Sequence, residues 1–324
     1  MLKEPQNIKK YLIFIISIIL ILSFSSFSEI QSQGVNLFNI PDPNSISRPF
    51  SSQMTNITVL INGNTELEDF SGITGEGSSG DPYIIENLQI NASDFETGIE
   101  IKNTNKYLII RNCTVVNSGA SFETFDSGIK IENCSNVTIK NNTISYSLQG
   151  IGVFNSINNN ITDNIVSINN TFGISVESSN YNNISDNIAM FNKLHGVYLV
   201  DSFNNSITDN FMTNNTYGSG IFLSDSDGNE IVGNTAVNNS YGLYLKKSDY
   251  NSVRENNFSN NFGDCIKIYL GTGNTFSDNG DCTESVVYII PTIPAFPVWY
   301  IIGFLLIGTA FLILKNKREI NKSE

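Results

Sequence analysis

The stretch Gly173–His195, GISVESSNYNNISDNIAMFNKLH, carries the alternating apolar residues of a strand in Ile174 and Val176, yet holds more asparagine than a strand tolerates. It recurs. Units of the same form start at Gly128, Gly150, Gly173, Gly196, Gly220 and Gly242, in steps of 22, 23, 23, 24 and 22 residues. A looser copy starts at Gly98 and a truncated one at Cys265. A period in this range is the mark of a solenoid, in which each unit buries its apolar face only against its neighbours.

Stacking the copies turns the asparagine excess into columns. Fourteen residues after each start stand Asn112, Asn142, Asn164, Asn187, Asn210, Asn234, Asn256 and Asn279. A second column holds Asn117, Asn169, Asn192, Asn215, Asn239 and Asn261, broken by Ser147, and a small-residue column runs through Thr104, Cys134, Ser156, Ser179, Ser202, Ser226 and Ser248. Apolar columns lie between, such as Ile129, Ile151, Ile174, Val197, Ile221 and Leu243. Apolar stretches of a few residues are too short for helices. They suit an all-β stack of three short strands per unit with tight corners between. Parallel strands lie about 4.8 Å apart, so identical residues stack, and an Asn amide, both donor and acceptor, extends a hydrogen-bond ladder along the axis. Asn also tolerates left-handed backbone, so the columns are expected to be the corner residues of a parallel β-helix of about eight coils.

The pattern G-I-x-Φ-x-x-S-x-x-N-x-I-x-x-N-x-Φ, with Φ apolar, resembles the right-handed parallel β-helix repeat of the NosD-like group, relatives of pectate lyases and polygalacturonases. The resemblance covers about Gly98 to Glu284. Ahead of it, INGNTELEDFSGITGEGSSGDPYIIENLQI resembles the entry module that precedes such repeats in archaeal surface proteins. It implies Asp81–Ile90 as the first strand-forming coil and a short helix over Asn64–Phe70 covering the open end, where a bare coil would be an aggregating sheet edge.

The termini predict where the solenoid sits. Lys9 and Lys10 precede the apolar run Tyr11–Leu22 and a small polar stretch, so residues 1–28 read as a signal peptide or a retained N-terminal membrane segment. Residues 29–97 form the entry region, 98–285 the repeats and 286–297 a Pro-containing linker. Val298–Leu314 is near the shortest length that spans a bilayer, and its basic flank in 315–324 belongs on the cytoplasmic side. The solenoid is thus expected outside a cell, held by a single pass. The tail also resembles the anchoring tails of archaeal surface proteins, which implies an archaeal source.

A net charge of −13 repels nucleic acid and excludes it as a partner. Asn-x-Ser/Thr acceptors are dense, for example at Asn136, Asn160, Asn183, Asn204, Asn214 and Asn238, which marks a glycoprotein if the chain is exported. The four cysteines suit an oxidising exterior: Cys265 with Cys282 in the last coil, and Cys113 with Cys134 in neighbouring coils, are candidate disulfides, with Cys134 alternatively a small residue in its column.

Candidates for chemistry are few. Asp163, Asp186 and Asp209, each one residue before a column Asn, form an outward acidic row that would raise its members' pKa values, trap calcium, or serve catalysis as paired carboxylates do. His195-Gly196 resembles the His-Gly pair of polygalacturonase-like enzymes, but His195 occupies a corner column away from Asp186 and no Arg-x-Lys follows. NosD-like resemblance also implies copper maturation, for which one His and four Met supply no cluster of soft ligands. Asp225–Glu230, DSDGNE, has the look of a calcium-loop start but falls on an ordinary corner. The balance favours a surface module for binding or structural display, recognising glycans or neighbouring surface proteins; the alternative is a polysaccharide lyase or hydrolase with a divergent site.

Overall fold

The computed structural model describes residues 58–92, 97–119, 125–168, 171–282 and 285–286. Within them the chain winds through three parallel sheets of ten, nine and seven strands, successive coils adding strands of two to six residues to each sheet in turn. Pairing joins each strand to its counterpart one coil away. In the ten-stranded sheet Ile129, Ile151, Ile174, Val197, Ile221 and Leu243 follow one another in register. All six are fully buried, as are Ile139, Ile161, Ile184, Ile207 and Ile231 in the nine-stranded sheet. Each such side chain stabilises the fold by about 1.5–3 kcal/mol relative to exposure, so the core is one continuous apolar column.

The glycine that opens each unit is required by crowding. A Cβ on Gly220 would stand 2.4 Å from Ala236 Cβ, and one on Gly242 would stand 2.6 Å from Phe258 Cβ. At this point the coil narrows so far that its third side presses on the backbone opposite.

Corners follow a rule that the columns alone do not reveal. Left-handed residues recur in four slots per coil, and each slot lies immediately before a buried column residue. Asp186 (φ 57°) precedes Asn187, Ser178 (φ 50°) precedes Ser179, Tyr181 (φ 58°) precedes Asn182, and Phe191 (φ 56°) precedes Asn192. The column asparagines are therefore not the left-handed residues expected at the corners. Their neighbours make the turn, and the turn aims the following amide inward.

The stack begins earlier than Asp81–Ile90: Val59–Asn62 already pairs with Ile99–Lys102. The helix spans Asn64–Glu68, with Leu67 fully buried against the core and Glu66 Oε2 accepting the Asn62 N–H at 2.7 Å. Strands Tyr83–Glu86 and Gln89–Asn91 complete this entry coil.

Candidate functional site

Three asparagine ladders run along the axis. In the first, Nδ2 of each of Asn142, Asn164, Asn187, Asn210, Asn234 and Asn256 donates to Oδ1 of the next member at 2.9–3.0 Å, ending on Asn279. A second, Asn159 through Asn182, Asn205, Asn229 and Asn251 to Asn274, has the same geometry at 3.0–3.2 Å. A third joins Asn192, Asn215 and Asn239. Beside them, backbone N–H groups from Cys134 to Ser226 each donate to the next coil's Ser Oγ at 2.9–3.1 Å.

Asn112 does not belong to the first ladder. It is exposed and left-handed (φ 53°), while Cys113 takes the buried slot and its N–H donates to Asn142 Oδ1 at 2.9 Å. The cause is one extra residue in this coil: Ile101 pairs with Ile131 and Leu108 with Val137, a span of seven residues against six. Asn117 is displaced likewise into a left-handed position (φ 57°).

Cys265 and Cys282 are bonded, with Cα atoms 5.9 Å apart. Cys113 and Cys134 are free and buried. They cannot pair because they stand in different ladders at different corners: Cys113 heads the first Asn ladder, and Cys134 heads the Ser column, with its Sγ donating to the Ile101 and Glu132 carbonyls.

Asp163, Asp186 and Asp209 occupy a left-handed slot on one exposed corner. Asp163 Oδ2 accepts from Thr162 Oγ1 at 3.2 Å, and Asp209 Oδ1 lies over Gly233, which interrupts the row. Among the described residues no group of three or more His, Cys, Asp or Glu is placed to hold a metal ion. The calcium reading of this row has no geometric support. Among the described residues no helix is long and apolar enough to cross a membrane, and both the 1–28 segment and Val298–Leu314 lie outside them.

The outer face of the ten-stranded sheet differs from the rest. Its central outward row is Glu100, Lys130, Gly152, Ser175, Tyr198, Phe222, Tyr244 and Lys267. At one end, Lys130 Nζ sits 3.2 Å from Glu100 and 3.3 Å from Glu132, and Lys102 joins the same pair of carboxylates. These ions neutralise one another. Toward the other end the face becomes aromatic. Phe172 and Tyr198 stack with centroids 4.1 Å apart, His195 stacks on Phe222 at 4.5 Å, and Tyr244 stands edge-on to Phe222 at 5.1 Å. Lys267 Nζ closes this strip, 4.4 Å above the Tyr241 ring and 3.1 Å from its hydroxyl.

Polar groups border the rings. Burial raises the Glu177 pKa, with Asp201 adding to the rise, while Ser175 Oγ donates to its Oε1 at 2.8 Å and works against it. Burial also raises Tyr198, helped by Glu177 and Asp201, so its phenol stays a neutral donor. Burial holds His195 down at about 3, and its Nδ1 accepts the Ser219 N–H at 2.9 Å. With that lone pair engaged, the neutral ring presents only Nε2–H and is no general base. Sequence columns passed over this strip, although Tyr198, Phe222 and Tyr244 share one position in the repeat, between the two apolar residues that follow each opening glycine.

A family model described as the right handed beta helix region matches residues 53–218, and one described as periplasmic copper-binding protein (NosD) matches residues 190–280. The chain belongs to the right-handed β-helix family. No curated protein matches it in sequence. Similar solved structures include the periplasmic alginate epimerase AlgG, at 18% identity and TM-score 0.50 over 70% of this chain and 51% of that one. Others are a GH87 alpha-1,3-glucanase catalytic domain with nigerose, at 16%, TM-score 0.42, over 68% and 39%, and the Azotobacter vinelandii mannuronan C-5 epimerase AlgE4 A-module, at 16%, TM-score 0.38, over 68% and 76%. The chain thus spans about half the length of the AlgG chain, and the likeness is one of fold. None of these matches bears on an archaeal source. Copper does not fit the described residues: His195 has its Nδ1 occupied within an aromatic stack, Met212 is buried in the core, Cys113 and Cys134 are buried in separate ladders, and no group of three or more His, Cys, Asp or Glu is placed to hold a metal ion among them.

Proposed function

We propose that the protein is a surface module that binds extended glycan chains along the aromatic strip of its ten-stranded sheet. The observation that carries this reading is the strip itself: Phe172, His195, Tyr198, Phe222, Tyr241 and Tyr244 lie on one outward face, half-buried, in a row parallel to the axis. Rigid rings with hydroxyl and N–H edges offer an apolar surface and hydrogen bonds together, at little entropic cost. Successive coils repeat every 4.8 Å or so, so a polymer of similar small units meets an equivalent ring edge on each coil. Glu177 and Lys267 frame the row, and the neighbouring ions are already paired, which favours hydroxyl-rich ligands over strongly charged ones.

Catalysis is the weaker reading because His195 is held neutral with its lone pair used, which leaves the Glu177 carboxylate as the group an enzyme would have to use. The module is held outside the cell in this proposal by Val298–Leu314, with residues 315–324 inside. Protease added to intact cells would then remove the repeats and spare an epitope placed after Arg318.

The deciding experiment screens the chain against a polysaccharide panel, scoring binding and reducing-sugar release in parallel. Tyr198→Ala with Phe222→Ala is expected to weaken binding at least tenfold, about 1.4 kcal/mol, while Asp186→Asn leaves it unchanged. Equal affinity of the double variant and the parent refutes the assignment of the strip. Sugar release abolished by Glu177→Gln replaces the binding module with an enzyme.

A further inference from the structure

The ladders sort the asparagines into two chemical classes. An Asn of the first ladder points inward, and strand alternation sends the residue two positions on inward as well. After Asn142, Asn164, Asn187, Asn210 and Asn234 that residue is Ile144, Val166, Ala189, Met212 and Ala236, all fully buried. Core positions exclude Ser and Thr, and none of the asparagines in the three ladders begins an Asn-x-Ser/Thr triplet. Four triplets arise one residue earlier. Asn141-Asn142-Thr143, Asn204-Asn205-Ser206, Asn214-Asn215-Thr216 and Asn238-Asn239-Ser240 each set a left-handed Asn, then a buried ladder Asn, then an outward hydroxyl. The first residues have φ of 54°, 55°, 56° and 57°. Asn141, Asn214 and Asn238 make no side-chain hydrogen bond among the described residues, so no acceptor competes for Nδ2.

These acceptors have a definite distribution. No triplet begins within any described strand of the ten-stranded sheet. The left-handed slot that borders the aromatic strip holds Ser178, Asp201, Asp225 and Lys247 instead of Asn. Acceptors lie on the other two sheets and at corners, such as Asn160 and Asn183 on the nine-stranded sheet. One triplet, Asn133-Cys134-Ser135, directly follows strand Ser127–Glu132, two coils before the first ring, and its Asn133 Nδ2 is engaged by Asn103 Oδ1 at 3.0 Å.

We infer that Asn141, Asn204, Asn214 and Asn238 are N-glycan attachment sites of the folded chain, and that the ten-stranded sheet is left bare of attached sugar. In the transfer, the Asn Nδ2 displaces the lipid pyrophosphate from the anomeric carbon of a lipid-linked oligosaccharide. A C–N bond forms as the C–O bond breaks, and the amide proton passes to the transferase. The inference does not depend on what the aromatic strip binds.

The test treats the folded full chain, in detergent, with a single-subunit oligosaccharyltransferase that reads Asn-x-Ser/Thr and its lipid-linked donor, then maps glycopeptides by mass spectrometry. Sugar is expected on the four named asparagines. Val200→Asn supplies the control, since it completes a triplet with Asp201 and Ser202, whose hydroxyl is buried and donates to the Val200 and Val176 carbonyls. Position 200 of that folded variant is expected to stay unmodified, while the same segment as a free peptide is modified. The inference is overturned if the four sites carry sugar only in unfolded chain, if they carry none in either state, or if position 200 is modified as fully as they are.

Discussion

Asn187 sits mid-ladder, and its replacement by Ala has consequences that can be worked out group by group. Its Nδ2 donates to the Ile161 carbonyl at 2.8 Å, the Ser185 carbonyl at 2.9 Å and Asn210 Oδ1 at 3.0 Å. Its Oδ1 accepts both the backbone N–H and the Nδ2 of Asn164 at 3.0 Å. Of the partners other than the Ile161 carbonyl, three retain others. Asn164 Nδ2 keeps the Ile139 and Thr162 carbonyls, Asn210 Oδ1 keeps the Asn187 N–H, and the Ser185 carbonyl keeps the Asp163 N–H. The Asn164 backbone N–H keeps nothing, and it belongs to a fully buried residue. One orphaned buried donor costs about 1–3 kcal/mol, which for a chain of this size lowers the melting temperature by roughly 2–12 °C. Asn160→Ala is the comparison, because it removes only the outward Asn183–Asn160 side-chain bond and should stay within about 0.5 kcal/mol. Thermal melts of the two variants, with amide exchange read at Asn164, make the assay. Equal melting temperatures, or continued protection of the Asn164 amide, refute the claim that the ladder satisfies the corner backbone.

Acid should act on the protein through His195: its folded pKa of about 3 lies below an unfolded value near 6.5, so the unfolded chain binds the extra proton between them. The associated stability is complete above pH 6.5 and is lost as pH falls toward 3, so melting between pH 7 and 4 should drop further for the parent than for His195→Gln. Reducing the Cys265–Cys282 bond, which closes a separation of 17 residues, should cost up to about 3 kcal/mol and open the last coil to protease before the middle of the stack; an unchanged cleavage pattern refutes the end-clamp role. Ile168 is β-branched at φ 56°, in the slot that holds Asn214, Asn238 and Asn260 in later coils, so Ile168→Asn should stabilise by about 0.5–1 kcal/mol in denaturant melts, and destabilisation would show that its packing outweighs the strain.

The architecture was legible because the residues that make it must repeat. An interior Ile is set by the strand above and the strand below, and a ladder Asn by the donor and acceptor on either side, so each column is uniform and visible in one sequence. The misplacement of Asn112 shows where this stops. One extra residue between Ile101 and Leu108 shifts the coil by one, and the shift is hidden because the left-handed slot favours Asn for its own reason, a backbone preference unrelated to ladder bonding. Two causes produce the same letter in adjacent positions.

The aromatic strip escapes the columns for the opposite reason. The position between the paired apolar residues reads Lys130, Gly152, Ser175, Tyr198, Phe222, Tyr244 and Lys267, with no consensus, because nothing in the stack dictates an outward residue. A site on a solenoid has to break the repeat: its residues answer to a ligand that touches some coils and not others. Phe172 and His195 enter the strip from a different position of the repeat, so even a search for aromatic residues within one column recovers only part of the cluster. The informative quantity in a repeat protein is therefore a local change of chemistry at an outward column, and on the ten-stranded sheet it occurs where a paired-ion face at Glu100, Lys130 and Glu132 gives way over two coils to stacked rings. The core supplies the spacing, and the departure from uniformity on its surface marks the face proposed for recognition.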